Sequence, residues 1–137
     1  MPSDLSPLTW VFSKEIPTPE IVEDLLIEGE VALWSFKTVR DSATFTDRRL
    51  IIRDAQGVTG KKIEVFTIPY SSILMFSSEN AGTLDFTAEV ELWTRVGKMK
   101  LNLKKDINVR AIDKLLAYAV LEGHLTKDTV DAIKRAY

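Results

Sequence analysis

Apolar and polar residues change their spacing along the chain, and each change marks an element. The first seventeen residues carry prolines at 2, 7 and 17 around "LTWVF" and predict an irregular arm. Thr18-Pro19-Glu20 then has the form of a helix start, with a Thr N-cap, a Pro at the first helical position and an early acid that suits the helix dipole. Ile21, Val22, Leu25 and Leu26 make one apolar face, and Gly29 ends it. From Glu30 the period becomes two, the signature of strands. In "TLDFTAEVELWT" (83–94), Leu84, Phe86, Ala88, Val90 and Leu92 share one parity, while Asp85, Thr87, Glu89 and Glu91 share the other. That alternation predicts a half-buried antiparallel strand, which "RVGK" turns into "KMKLNLK" with Met99, Leu101 and Leu103 inward.

The stretch "ATFTDRRLIIRD" (43–54) breaks the rule if it is a single strand, because Phe45 and Ile51 would then share a face with Asp47, Arg49 and Arg53. A turn at Thr46-Asp47-Arg48-Arg49 removes the conflict and lets each flank keep its own register. Seven strands follow, at about 30–39, 42–46, 49–54, 61–68, 71–78, 83–94 and 98–104. Beyond them, Asp106 is placed to cap an amphipathic helix through Val109, Ile112, Leu115, Leu116, Ala119 and Val120, stopped by Gly123. Thr126 caps a second, shorter helix, "KDTVDAIKRAY".

The chain has 137 residues, room for one core, and its 45% apolar and 28% charged content is ordinary for a globular domain. A formal charge of -2 speaks against coating nucleic acid, which needs a basic excess. With no cysteine there is neither a disulfide framework nor a thiolate metal site, as suits a reducing compartment. The opening "MPSDLSPLTWVF" lacks the basic and long apolar regions of a signal peptide, and no apolar run approaches the ~20 residues that span a bilayer. The expectation is a soluble, cytoplasmic protein.

Seven short antiparallel strands closed by one amphipathic helix is the element order of the pleckstrin-homology (PH) superfold, a partly open barrel of two nearly orthogonal sheets plugged by that helix. The segments "KTVRDSATFTDRRLII", "DAQGVTGKKIEVFTIPYSSI", "FSSENAG" and "AEVELW" closely resemble the bacterial PH-domain family of small stand-alone proteins, formerly a domain of unknown function. The resemblance spans about residues 28–104. It implies a mainly β PH-like domain at 18–122, including an added N-terminal helix and the capping helix, after an arm at 1–17 and before a helical extension at 123–137. It also implies a non-enzymatic module that forms a closed cyclic homo-oligomer, a pentamer being one such ring, with an unknown protein as partner. It implies no specific ligand, so no cofactor is expected, and no metal is expected because no His, Cys and carboxylate cluster has metal spacing.

Candidate interaction residues follow from where charge and bulk depart from the pattern. The first strand, "EVALWSFKT", is apolar on both parities, so Leu33 lies either under the N-terminal helix or in a subunit contact. Trp93 falls on the polar parity beside Glu91, either as an interface anchor or against the arm that carries Trp10 and Phe12. Lys37, Arg40, Arg48, Arg49, Lys61 and Lys62 gather positive charge near neighbouring strands, with Arg53. In lipid-binding PH domains such residues hold inositol phosphates beside a long loop, whereas Arg40-Asp41-Ser42 is a short junction with an acid at its centre, which favours solvated or subunit-pairing charges. The rival is a peripheral module that meets anionic lipid through Lys61, Lys62 and the nearby arginines. "GVTG" (57–60) joins two strands and is expected to be a hairpin loop rather than a phosphate clamp. No catalytic residue is expected. His124 is the one histidine, Ser71, Ser72, Ser77 and Ser78 lack an evident base, and Glu89 and Glu91 point to solvent without the pocket that a raised-pKa acid needs.

Overall fold

In the computed structural model, which describes residues 8–80 and 87–137, the chain runs β1 (Leu8–Ile16), α1 (Glu20–Glu23), β2 (Ala32–Thr38), β3 (Asp41–Thr46), β4 (Arg49–Gln56) and β5 (Lys62–Pro69). After a 3-10 turn at Tyr70–Ser72 come β6 (Met75–Glu79), β7 (Ala88–Thr94), β8 (Gly97–Leu103), α2 (Val109–Glu122) and α3 (Lys127–Ala136). The strands form one sheet in the order β5-β4-β3-β2-β1-β8-β7-β6. All described pairings are antiparallel except that of β1 with β8, which is parallel.

This corrects the expectation of seven strands in two sheets. Residues 8–16, expected to be irregular, form a strand because the prolines at 7 and 17 only bracket a run whose Trp10 and Phe12 are buried in the core. Its first half pairs with β8 from Leu8 to Phe12, and its second half pairs with β2 from Phe12 to Ile16. The two expected sheets correspond to the meanders β2–β5 and β6–β8. β1 joins them into one curled sheet.

Phe12, Phe36 and Phe45 meet at the centre of the curl, with ring centroids 5.3 to 6.4 Å apart. Ile112, Leu115, Leu116 and Ala119 bring the apolar face of α2 into the same core. Leu92 and Leu101 are fully buried there, as the alternation in β7 and β8 requires.

Several expected boundaries move. Of the strand expected at 83–94, residues 88–94 are seen as β7, and 83–86 lie outside the described residues. The strand expected from 71 starts at Met75, because Pro69 leads into the 3-10 turn. α1 is one turn long and ends at Glu23, with Asp24 as its C-cap, well before Gly29. Thr18 does not cap it: its hydroxyl bonds Ser35 Oγ at 2.8 Å instead. α2 is capped by Asn108, whose side chain accepts from the N–H of Arg110 and Ala111, and not by Asp106. Gly123 stops α2 in the left-handed region (φ 83°), and Thr126 caps α3 as expected.

Candidate functional site

The cut in "ATFTDRRLIIRD" is a corner. β3 ends at Thr46 and β4 begins at Arg49. Thr46 Oγ1 accepts from the backbone N–H of Arg48 and Arg49, both at 3.0 Å, and donates to Glu30 Oε2 at 2.7 Å. Asp47 works through its carboxylate and backbone together: Oδ1 accepts from Val31 N–H at 2.9 Å, and its carbonyl accepts from Leu125 N–H at 2.8 Å. The corner therefore ties β2 and the link before α3 to the β3–β4 hairpin.

Beside it lies a buried charge pair. Arg49 donates from Nε to Glu30 Oε2 at 2.8 Å and from Nη2 to Glu30 Oε1 at 2.9 Å, a two-pronged pair, and it also reaches Thr67 Oγ1 and the Leu25 carbonyl. The Glu30 side chain is 1% exposed. Burial alone would raise its carboxyl pKa, but bonds from Arg49, the Ile27 N–H and Thr46, with the Arg49 charge, outweigh that and hold it at about 2. The bond to Glu30 raises Arg49 in turn. Tyr70 closes the cluster by donating its O–H to the Thr46 carbonyl at 2.6 Å, and burial, then the charges of Asp47 and Glu30, push its phenol well upward.

The expected basic surface is neutralised in part, at its arginines. Arg49 is held as above. Arg40 Nε lies 2.7 Å from the buried Asp54 while its N–H points to the Ala55 carbonyl, Arg53 pairs with Asp41, and Arg48 sits 3.4 Å from Asp47 with half its side chain exposed. Lys37, Lys61 and Lys62 remain exposed. The last two follow the "GVTG" loop, a β4–β5 hairpin connection with Gly57 and Gly60 at positive φ and Val58 fully exposed at its tip.

Trp93 lies half-buried on β7 opposite Met75 and Lys98, with the Lys98 ammonium 5.5 Å from its ring centre. Trp10 and Phe12 are buried in the core. Glu91 and Glu89 pair with Lys98 and Lys100 across the β7–β8 ladder, both at 3.2 Å. Leu33 sits at a bulge in β2 and packs partly against the core, while its neighbour Ser35 is buried beneath the link that carries Thr18. His124 is exposed, Ser72 donates to the Pro69 carbonyl, and Ser78 donates to Asp113. Among the described residues no group of His, Asp and Glu has the spacing of a metal site, and no helix is long and apolar enough to cross a membrane.

A curled, mostly antiparallel sheet whose core is closed by an amphipathic helix defines a PH-like domain. The profile of the Bacterial PH domain family matches residues 9–120, so the chain belongs to that family. It is 44% identical over 101 residues to the uncharacterised protein YjqA of Bacillus subtilis (72% of this chain, 81% of YjqA) and 34% identical over 104 residues to YozO of the same organism (76% and 86%). Among solved structures it is similar to a family protein with a pleckstrin-homology domain from Shewanella loihica (TM-score 0.68, 32% identity, 82% of this chain and 98% of that one). It is also similar to a pleckstrin homology domain from Shewanella amazonensis (TM-score 0.60, 38% identity, 73% and 82%).

Proposed function

We propose that this chain is a non-enzymatic interaction module that assembles into a closed ring of identical protomers and serves as a protein-docking scaffold. The observation that carries this reading is the pair of sheet edges. Among the described residues β5, eight residues long, and β6, five residues long, are each paired on one side only. An open edge is a template for further strand pairing, and stable monomers usually blunt it with charge, proline or a bulge. β5 carries Lys62, Glu64 and Pro69, yet between them Ile63 and Val65 are 37% and 41% exposed, and Met75 is 54% exposed where β6 begins. Because the two edges differ, joining β5 of one protomer to β6 of the next is a heterologous contact, and such contacts close into rings when the rotation permits. The engagement of Ser72 and Ser78, of Glu89 and Glu91, and of Arg40, Arg49 and Arg53 in structural bonds supports a binding role over a chemical one.

Light scattering tests the assembly. The native chain is expected at a multiple of the protomer mass, and Ile63→Lys combined with Met75→Lys should keep its circular dichroism and fall to a single protomer. A native chain that is already monomeric overturns the ring.

A second reading rests on Val58, fully exposed at a loop tip and followed by Lys61 and Lys62, a pattern suited to touching an anionic lipid surface. Each basic residue near such a surface contributes ~1 kcal/mol. Co-sedimentation with anionic liposomes separates the two readings, since lipid binding through lysines should fade as salt rises while an edge-paired ring persists.

A further inference from the structure

Between the end of β5, the start of β6 and the β7–β8 turn lies a groove of about 740 Å3, within the size range of small-ligand sites. Its walls are apolar: Leu8, Phe66, Ile68, Leu74, Val96 and Met99. Leu74 is 59% exposed and Val96 is 84% exposed, so the groove opens broadly to solvent. The charged groups among its lining residues are Arg95 and Lys98, both cationic.

Several polar groups in the walls have structural partners, and the two cations set the sign of the occupant. Thr67 Oγ1 accepts from Arg49, Ser72 Oγ donates to the Pro69 carbonyl, and Thr94 Oγ1 donates to the Gly97 carbonyl and accepts from Val96 N–H. Ser71 lies in the same wall, and between these partly engaged hydroxyls the side chains of Phe66, Ile68 and Met99 offer an apolar track suited to an alkyl chain, with cationic groups at one end. Lys98 shares its charge with Glu91 at 3.2 Å, while Arg95, exposed in the turn, forms no ion pair with a described residue. We infer that the groove binds a single-chain anionic amphiphile, a medium-chain carboxylate, with its tail along Phe66, Ile68 and Met99 and its head at Arg95 and Lys98.

Methionine methyl groups give a direct readout, because the chain has three and Met99 lines the groove, so its signal is assigned with Met99→Leu. Decanoate, kept below its micelle concentration, is expected to shift the Met99 methyl resonance saturably. Decyltrimethylammonium, with the same tail and the opposite charge, should bind roughly tenfold more weakly, equivalent to about 1.4 kcal/mol. Arg95→Glu should abolish that preference while leaving decanol binding unchanged, and Val96→Asp should weaken all three ligands. A saturable shift that ignores head-group charge overturns the anionic assignment, and no saturable shift with decanoate overturns the site. If an acetylated Leu-Asp-Leu-Asp-Leu peptide perturbs Met99 at lower concentration than decanoate, the groove takes an extended acidic segment and the amphiphile is wrong.

Discussion

An ordinary Glu carboxyl takes up its proton near pH 4.5, whereas Glu30 in the folded protein holds its charge down to about 2. A folded-state pKa below the unfolded one contributes stability that is fully present above pH 4.5 and is lost as the pH falls toward 2. The contribution is roughly 2–3 kcal/mol, and urea denaturation at pH 7 and pH 3 should reveal it as a fall in unfolding free energy that Glu30→Gln largely removes. Asp47 makes a second case. A turn Asp chosen only for its backbone tolerance could become Gly at no cost, but this one accepts from Val31 N–H. Asp47→Gly and Asp47→Ala should therefore both lower stability by about 1 kcal/mol, while Asp47→Asn keeps an acceptor oxygen and most of the stability, as measured by thermal melts. The corner itself was legible, since Thr and Asp between two apolar runs have a known turn chemistry. The Glu30–Arg49 pair was not: it joins residues nineteen apart, one in the link before β2 and one at the start of β4, and nothing in the local sequence distinguishes Arg49 from its exposed neighbour Arg48.

Alternation made β7 and β8 readable because one face is dry and the other wet, so each side chain declares its side. β1 hid for the opposite reason: it is flanked by prolines and changes partner at Phe12, so neither half is long enough to set a period. If β1 is the seam of the sheet, Phe12→Ala should cost about 3–5 kcal/mol while the half-buried Val11→Ala costs far less, compared by chemical denaturation. The start of α2 shows a different limit. Asp106 and Asn108 both have capping side chains, and the structure selects Asn108 after the buried Ile107. Asn108→Ala is expected to destabilise by about 1 kcal/mol and Asp106→Ala to change little.

For the whole molecule, family membership fixes the PH-like architecture and leaves the surfaces to physics. Of the basic residues that suggested a patch in the sequence, Arg40, Arg49 and Arg53 are answered by Asp54, Glu30 and Asp41, whose proximity only the folded sheet creates. Arg53→Ala should therefore change affinity for anionic liposomes less than Lys61→Ala does, which co-sedimentation of the two variants can compare. The parallel seam between β1 and β8 also constrains the order of events during synthesis. Leu8 must wait for Met99, about 90 residues later, before the first strand acquires its parallel neighbour. At the ~5–20 residues per second of a ribosome, the interval is several seconds or longer. During that time the β2–β5 hairpins can form beside a first strand bonded on one side only, and its free flank stays open to chaperones or to another nascent copy until the ribosome delivers β8.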